Sequence, residues 1–297
     1  MNNPGWIHNK KIKIDHLLGG NSMGNKLVEL VSALTTSSEE VLPDILILEF
    51  RIVTACLVGI PEEEGSQWVL VDTGLENSSQ FILESVHSRF GKNSRPQAVI
   101  LTHGHFDHVG SVKELAEYWD VPVYAHTLEL PYLTGKKDYP LADPGVGGGL
   151  VSGISTTFPH TRIDLGYRIF PLPDHGEVPG MPGWQWVHTP GHTDGHISLF
   201  REKDRVLLAA DAFTTTKQES LWSVMTQEEQ MGGPPKYFTT DWVEAEKSVK
   251  RLEELKPSLV IPSHGKPMAG DELSHHLVYL AQHFQEIAVP EQGRFVE

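Results

Sequence analysis

Histidine and aspartate side chains are crowded into one short segment of the chain. The segment THGHFDHVG, residues 102–110, holds His103, His105, Asp107 and His108 within six positions. Alternate side chains of an extended or turning backbone point the same way, so His103 and His105 are predicted to reach one cation together. Asp107 and His108 follow at a predicted helix start and are expected to aim at a neighbouring point. A metal site, a proton relay and a crowded surface turn are the three interpretations of this segment alone.

Three further candidates lie far away in sequence but share one local setting. His192 lies in a Pro-Gly turn after a predicted strand, Asp211 ends the run VLLAAD, and His264 ends the run LVIPSH. Ligands of α/β proteins bind at the carboxyl ends of strands. These three side chains and residues 102–110 are therefore expected to converge on one edge of a sheet.

The seven candidate side chains suit divalent transition metals. Neutral imidazole and carboxylate are ligands of Zn²⁺, and also of Fe²⁺, Mn²⁺ and Co²⁺. Seven ligands are too many for one tetrahedral ion and fit two ions that share a carboxylate. The ligand set therefore predicts two Zn²⁺ ions, with Fe²⁺ or Mn²⁺ as alternatives.

The elements that must position these residues are visible as apolar runs and helical patterns. Strands are predicted in ILILEFRIVTACLVGI, QWVLVDTG, QAVILTH, VPVYAH, WQWVHTPGHTDGHISLF, RVLLAADAF and SLVIPSHG. Helices are predicted in SSQFILESVHSRF (N-cap Ser78 or Ser79), VGSVKELAEYWD, TDWVEAEKSVKRLEEL (N-cap Thr240 or Asp241) and ELSHHLVYLAQHFQEI. The two halves of the chain share an order of strands, helix and strand. This order suggests two sheets packed face to face with helices outside.

The chain divides into an extension and one domain. Residues 1–40 are predicted to form an N-terminal extension in which NKLVELVSAL is a short amphipathic helix, and residues 41–297 a single domain. Residues from about 127 to 183 are rich in Gly and Pro with little periodicity. Long loops of this kind inside a domain are typically functional, so this stretch is predicted to be an insertion that covers a substrate site.

Composition excludes several classes of function. The chain has 297 residues, 24 Lys and Arg against 39 Asp and Glu, and a formal charge of −15, which argues against a nucleic-acid partner. The single cysteine, Cys56, lies in an apolar run and is predicted to be a buried small hydrophobe. No signal peptide and no membrane-spanning run is visible, so a cytoplasmic location and no membrane partner are expected.

Five motifs resemble those of a known family. THGHFDHVG, TPGHTDGH, AADAF and PSHG resemble the metal motifs of the metallo-β-lactamase superfamily, and LVDTG, with Asp72, resembles its first motif. The resemblance covers roughly residues 45 to 265. It implies an α/β fold, an αββα four-layer sandwich of two packed mixed β-sheets with outer helices, around a pair of metal ions.

The resemblance also implies how the ligands divide between the ions. The first metal would be held by three histidines, the second by an aspartate and two histidines, and one aspartate would bridge them: His103, His105 and His192; Asp107, His108 and His264; and Asp211. Asp72 would orient the loop or a ligand imidazole, and a simple turn residue is an equally good interpretation. His196 is not implied as a ligand and is predicted to be a supporting or structural residue.

This arrangement would perform metal-assisted hydrolysis. Two adjacent metals lower the pKa of a shared water from about 15.7 to about 7, so a bridging hydroxide exists near neutral pH. One metal would polarise a carbonyl, Asp107 would orient the nucleophile and Asp211 would hold the pair, which makes these two aspartates the catalytic candidates.

The substrate is predicted to be a small molecule with an ester-like bond, namely a lactone, thioester or ester. PGHTDGH is similar to the glyoxalase II and lactonase branch of the superfamily, although a HEYT-like stretch of glyoxalase II is absent. Lactonases use a tyrosine near the metals, for which Tyr132, Tyr167 and Tyr237 are candidates. Phe213, Trp222 and Met225 follow Asp211 and are predicted to form either an apolar pocket wall or ordinary core.

Two alternatives stay open at this stage. Some relatives are mononuclear iron persulfide dioxygenases, oxidoreductases that carry the same first motif. The third interpretation, a non-catalytic binding module, is disfavoured because the ligand set is complete. The sequence does not determine the oligomeric state, so a homodimer is compatible with it.

Overall fold

The computed structural model describes residues 36–50, 52–62, 65–146, 155–216 and 229–296. Within these residues two large β-sheets lie face to face with helices on the outer face of each. The strands are β1 (Ser37–Leu42), β2 (Ile45–Glu49), β3 (Thr54–Val58), β4 (Val69–Val71), β5 (Val99–Ile100), β6 (Val123–Ala125), β7 (Ile169–Pro171), β8 (Trp184–His188), β9 (Ile197–Arg201), β10 (Val206–Ala210), β11 (Thr214–Thr216), β12 (Glu229–Gly232), β13 (Leu259–Pro262) and β14 (Met268–Ala269). The helices are α1 (Ser79–Phe90), α2 (Phe106–Val109), α3 (Val112–Trp119), α4 (Leu130–Leu133), α5 (Trp242–Glu254), α6 (Gly270–Gln282) and α7 (Phe284–Ile287). A third sheet consists of one antiparallel pair, β11 and β12. The predicted αββα sandwich is confirmed.

The larger sheet is mixed, in the order β1-β2-β3-β4-β5-β6-β7. Its first four strands pair antiparallel and β4 to β7 pair parallel. Two of the parallel strands end beside candidate residues: β4 ends directly before Asp72, and β5 ends shortly before Thr102 and His103. This sheet therefore delivers the histidine-rich segment to one edge.

The smaller sheet, in the order β14-β13-β10-β9-β8, reaches the same edge. Its parallel pair, β10 and β13, ends just before Asp211 and His264 respectively. Backbone hydrogen bonds join the two sheets there, from Ile197 N–H to Thr102 O at 3.1 Å and from Thr54 N–H to Ser263 O at 2.8 Å.

Apolar side chains fill three layers because both faces of each sheet are buried. In β2, Ile47 packs between the sheets whereas Leu48 packs against the helices on the outside. In β10, Leu208 and Leu207 divide in the same way. Successive strand residues point to opposite faces, so an unbroken apolar run is the expected pattern for a strand buried on both sides.

The helices begin close to their predicted starts. α1 follows Ser78, and α5 follows Asp241, whose carboxylate accepts a hydrogen bond from the Glu244 backbone N–H at 2.9 Å. That contact satisfies one of the free N–H groups of the first turn. The predicted C-terminal helix is instead two helices, α6 and α7, which are separated at His283.

Two boundaries differ from the expectation. β1 begins at Ser37, inside the predicted extension of residues 1–40, and pairs with β2. β7 lies inside the predicted insertion at about 127–183 and pairs with β6, while Val178 and Met181 pack between the sheets. Flanking Gly and Pro hide a strand this short from pattern analysis. The role of the remaining insertion as a substrate cover stays a prediction; residues 147–154 and the predicted helix NKLVELVSAL lie outside the described residues.

None of the helices that the structure describes is both long enough and apolar enough to cross a membrane.

Candidate metal centre

Three buried imidazoles meet nitrogen to nitrogen. Nδ1 of His105 lies 3.0 Å from Nε2 of His103 and 2.9 Å from Nε2 of His192. Nitrogen ligands about 2.0–2.1 Å from a tetrahedral Zn²⁺ lie about 3.3 Å from each other, which is close to this spacing. All three residues are at most 3% exposed. They form the first group of the candidate centre, as the sequence motifs implied.

A second group lies beside the first. His264 Nε2 is 3.7 Å from Asp107 Oδ2, and His108 Nε2 is 3.9 Å from Asp107 Oδ1. Ligand atoms of the three residues all lie within 4.8 Å of one another, as they do in the first group. The structure therefore brings all six non-bridging candidates together in the two predicted sets.

Asp211 lies between the groups. Its Oδ2 atom is 3.2 Å from His192 Nε2 in the first group and 3.2 Å from His264 Nε2 in the second. Its Oδ1 atom is 3.4 Å from His108 Nε2. A carboxylate that reaches both groups is suited to bridge two cations.

Two buried polar atoms in the centre have no hydrogen-bond partner within the described residues. They are His108 Nε2 and Asp211 Oδ1, which face each other without hydrogen-bond geometry. Leaving such atoms unsatisfied costs about 1–3 kcal/mol each. A divalent cation would accept a lone pair from both, so the ligand set fits a metal.

Each histidine that offers Nε2 to the centre is held through its other ring nitrogen. Nδ1 of His192 donates to Thr239 Oγ1 at 3.3 Å, and Nδ1 of His264 donates to the carbonyl of Ile52. A proton fixed on Nδ1 leaves the Nε2 lone pair for a metal. His105 differs because it presents Nδ1.

Asp72 supports both groups at once. Its Oδ2 atom accepts from His108 Nδ1–H at 2.9 Å and from the Thr102 hydroxyl at 2.7 Å. The same hydroxyl oxygen is 3.2 Å from His103 Nδ1 and accepts a hydrogen bond from its N–H group. The structure thus favours the supporting interpretation of Asp72 over that of a simple turn residue.

His196 acts on Asp211 through the backbone. Its Nε2 accepts the Asp211 backbone N–H at 3.0 Å, while Nδ1 is 3.0 Å from the carbonyl of Thr189. Burial, together with the neighbouring His192, lowers the pKa of His196 to about 3, so the ring stays neutral and can accept. Ala210 adopts φ 50° at an irregularity in β10, and this left-handed residue turns the chain at Asp211.

Charges in the centre are set by burial and by the aspartates. Burial, with the neighbouring histidines, holds the pKa of His103 and of His105 well below the usual value. Burial also lowers the pKa of His108, but Asp211 and Asp72 outweigh it and raise that pKa well above the usual value. Burial raises the pKa of Asp211, but His264 and His108 outweigh it and lower that pKa.

The predicted pocket residues fare unevenly. Phe213 is fully buried in the core between the smaller sheet and its helices. The interpretation of Phe213 as ordinary core is therefore correct and that as a pocket wall is wrong. Trp222 and Met225 lie outside the described residues. Tyr167 is 78% exposed on the surface. The ring of Tyr132 stacks on that of Tyr139, with 3.9 Å between ring centroids, and Tyr237 packs against Phe238.

Two residues near the centre escaped the sequence analysis. The ring of Tyr139 lies 4.7 Å from that of His105, and its hydroxyl contacts Glu129. Glu129 is fully buried. The local sequence LEL does not distinguish Glu129 from a surface glutamate, and only the folded structure brings this residue close to the candidate ligands.

Comparison with known proteins places the same stretch of chain in a family. Residues 49–264 match the family model of the metallo-beta-lactamase superfamily. The chain is 43% identical over 240 residues to the probable metallo-hydrolase YflN of Bacillus subtilis (strain 168), which covers 81% of this chain and 90% of that protein. It is 28% identical over 210 residues to the probable metallo-hydrolase YybB of the same organism, which covers 71% of this chain and 81% of that protein.

Solved structures show the same fold. A beta-lactamase domain protein from Burkholderia ambifaria aligns with a TM-score of 0.56 at 20% identity, covering 84% of this chain and 76% of that chain. At this identity the likeness concerns the fold alone. The matched family region contains all seven candidate ligands and Asp72.

Proposed function

Because the chain belongs to the metallo-β-lactamase superfamily, we propose that it is a dinuclear metal-dependent hydrolase of small ester-like substrates, that is, lactones, thioesters or esters. The observation that carries the proposal is the position of Asp211, whose Oδ2 atom is 3.2 Å from one histidine of each group. A mononuclear site would not require a carboxylate within reach of both groups.

The residues present suit Zn²⁺, with Fe²⁺ or Mn²⁺ as alternatives. Imidazole and carboxylate are common Zn²⁺ ligands, and the first group is entirely imidazole. When bound, two such ions would activate a water molecule and polarise a substrate carbonyl. Asp211 would hold the two groups of ligands in place relative to each other.

Asp107 would handle the proton and the water. Its side chain is the most exposed of the seven, at 10% against 0–4% for the partners with which it is paired. It contacts His108 and His264 only at 3.9 Å and 3.7 Å, so its oxygens retain free lone pairs. A carboxylate placed at the edge of the centre in this way can orient a water molecule and accept its proton.

We propose that a cavity next to the ligand segment, residues 102–110, receives an apolar group of the substrate. The cavity measures about 250 Å³ and is lined by Gly104 and Phe106, which alternate with the candidate ligands along the chain, whereas none of the seven candidate ligands lines it. Leu75, Phe158 and Ile163 add apolar surface. Largely apolar clefts of this kind bind small organic substrates.

A small neutral or apolar substrate also agrees with the charge of the chain. At −15, the protein would repel the phosphates of a nucleic acid and an anionic membrane surface. We extend the proposal accordingly to a small-molecule substrate without a nucleic-acid or membrane partner. The cytoplasmic location and a homodimer stay predictions.

The test combines metal analysis with a substrate panel. Protein purified without added metal is analysed for Zn, Fe and Mn, and the same preparation is assayed with lactones, thioesters, esters, β-lactams and phosphodiesters. About two Zn²⁺ per chain with hydrolysis of an ester-like substrate supports the proposal. One iron per chain with oxygen consumption on a persulfide would overturn it in favour of the oxidoreductase alternative.

The variant Asp211→Ala tests the bridging role. It should abolish hydrolysis and lower the bound metal from two ions per chain. Asp174→Ala removes an exposed aspartate outside the centre and is the matched control, for which no change is expected. An unchanged rate in Asp211→Ala would rule out the two-metal mechanism.

A further inference from the structure

Glu129 and Tyr139 connect the two loops that carry the first group of ligands. We propose that this pair positions His103, His105 and His192 for the first metal, a role that neither residue's local sequence suggests. The inference rests on the proposed metal-dependent function. It concerns residues that contact the segments next to the ligands and the ring of His105, not residues proposed to bind the metal.

One carboxylate oxygen of Glu129 holds the loop that follows His192. Its Oε1 atom accepts the Thr193 hydroxyl at 2.6 Å and the Gly195 backbone N–H at 3.0 Å. Both donors lie within three positions of the ligand. A shift of this loop would therefore move the imidazole of His192.

The other oxygen holds the loop between the remaining two ligands. Oε2 of Glu129 accepts the Gly104 backbone N–H at 3.0 Å, and Gly104 is the residue between His103 and His105. The Tyr139 hydroxyl donates to the same oxygen and accepts from the Gly104 backbone N–H at 3.0 Å. The Tyr139 ring also contacts His105 directly, at 4.7 Å between ring centroids.

Among the described residues four groups donate to the two oxygens of Glu129, so the site suits an ionised carboxylate. An ionised carboxylate only accepts hydrogen bonds, whereas an amide in either orientation would place its NH2 group against a backbone N–H, that of Gly104 or that of Gly195. Burial raises the pKa of Glu129, and the hydrogen bonds from Thr193, Tyr139, Gly104 and Gly195 oppose that rise. Keeping a charge in a fully buried position is costly unless the charge is fully hydrogen-bonded.

Both loops are shaped to admit this pair. A Cβ atom at Gly104 would lie 2.5 Å from the Tyr139 hydroxyl, and one at Gly195 would lie 2.8 Å from Glu129 Oε1. Side chains at these two positions would displace the pair. The glycines therefore serve the close approach of Glu129 to both loops.

A purely structural role is the competing explanation, and a mutant cycle separates the two. If Glu129 only stabilises the fold, its loss should affect both metal groups alike. If Glu129 positions the first group, substituting it should weaken metal binding only when that group still has all three of its ligands. Pairing each substitution with a variant that removes one metal ligand makes this difference measurable.

The experiment measures Co²⁺ affinity of the metal-free full-length chain by titration, following the visible absorption of bound Co²⁺. Glu129→Gln is combined with His264→Ala, which leaves the first group, and with His192→Ala, which removes one of its ligands. We expect Glu129→Gln to weaken Co²⁺ binding about 10-fold in the His264→Ala background and to change its absorption spectrum. Little change is expected in the His192→Ala background.

Tyr139→Phe gives the graded version and covers the case in which Glu129→Gln does not fold. It removes one of the four donors, so an about 3-fold weaker affinity is expected in the His264→Ala background. Glu117→Gln and Tyr118→Phe, both exposed on α3, are the matched controls. They should leave Co²⁺ affinity unchanged.

Equal losses in both backgrounds, or no loss in either, would overturn the positioning role while leaving the proposed hydrolase intact. Failure of the wild-type chain to bind Co²⁺ would instead overturn the proposed function, and this inference with it.

Discussion

The Oδ2 atom of Asp72 lies 2.9 Å from Nδ1 of His108, and this one carboxylate supports both groups of the candidate metal centre. The same oxygen accepts the Thr102 hydroxyl, which in turn accepts from His103 Nδ1. His103 belongs to the first group and His108 to the second. Asp72 therefore fixes the tautomers of two ligands that would bind different ions.

Asp72→Asn should weaken metal binding. The amide NH2 would face either the Thr102 backbone N–H, which donates to Oδ1, or the His108 ring and Thr102 hydroxyl, which donate to Oδ2. In either orientation donors next to the ligands would lose their acceptor. Partners of this kind contribute about 10- to 100-fold to metal affinity. Metal retained after dialysis against increasing chelator, measured by elemental analysis, checks this expectation.

Asp120→Asn is the matched control for that substitution. Asp72 and Asp120 both have left-handed backbones, with φ 58° and 53°, and Asn adopts this region as readily as Asp. Asp120 is exposed and pairs with Arg168 on the surface. Equal metal retention by the two variants would contradict the supporting role of Asp72.

His196→Phe should destabilise the protein and disturb Asp211. The substitution removes the acceptor of the Asp211 backbone N–H, which is buried. An unsatisfied buried N–H costs about 1–3 kcal/mol, so the free energy of unfolding measured in urea should fall by about that amount. His175→Phe, at an exposed histidine paired with Glu177, is the control. A loss no larger than that of the control would show that Asp211 does not depend on His196.

The first metal motif was readable because its spacing is local. His103, His105, Asp107 and His108 lie within six positions, so backbone geometry alone predicts convergence. His192, Asp211 and His264 each follow an apolar strand, which predicts the edge of the sheet but not distances. The structure supplies those distances, and they agree with the division into two groups that the family resemblance implies.

Supporting residues were harder to predict because their partners are distant in sequence. Glu129 contacts Gly104 and Gly195, which lie 25 and 66 positions away. Phe213 lies two positions after the candidate ligand Asp211, yet the turn after Asp211 directs it into the core. Neither outcome follows from periodicity, since both depend on how two sheets pack.

Phe158→Ala should change substrate selection. Phe158 lines the cavity next to the ligand segment, and its ring centroid is 5.6 Å from that of Phe106. Removing its ring enlarges the cavity, so the ratio of kcat/KM for longer over shorter acyl chains should rise by about 10-fold, the effect of roughly one or two methylenes in an apolar pocket. Exposed Phe170, substituted in the same way, is the control. An unchanged chain-length profile would place the substrate elsewhere.

We expect His126 to make the stability of the protein depend on pH. Its ring stacks on that of His188, with 4.2 Å between centroids, and burial together with His188 lowers the pKa of His126 to about 4. Its Nδ1 atom accepts the Leu128 N–H at 3.4 Å at the start of a short helical turn. Asn at this position would keep that cap through its side-chain oxygen but would not titrate.

The sign of the effect follows from the lowered pKa. An unfolded histidine titrates near pH 6.5, so between about pH 6.5 and 4 the unfolded chain binds a proton that the folded chain does not. The contribution of neutral His126 is complete above that range and is lost as the pH falls through it. Urea unfolding should show His126→Asn matching the wild type near pH 7.5 and exceeding it by about 1 kcal/mol near pH 5, a figure reduced for the half-exposed ring. His275→Asn, on an exposed part of α6, controls for the loss of one histidine, and identical pH dependence of wild type and His126→Asn would mean that the stacked pair does not oppose protonation.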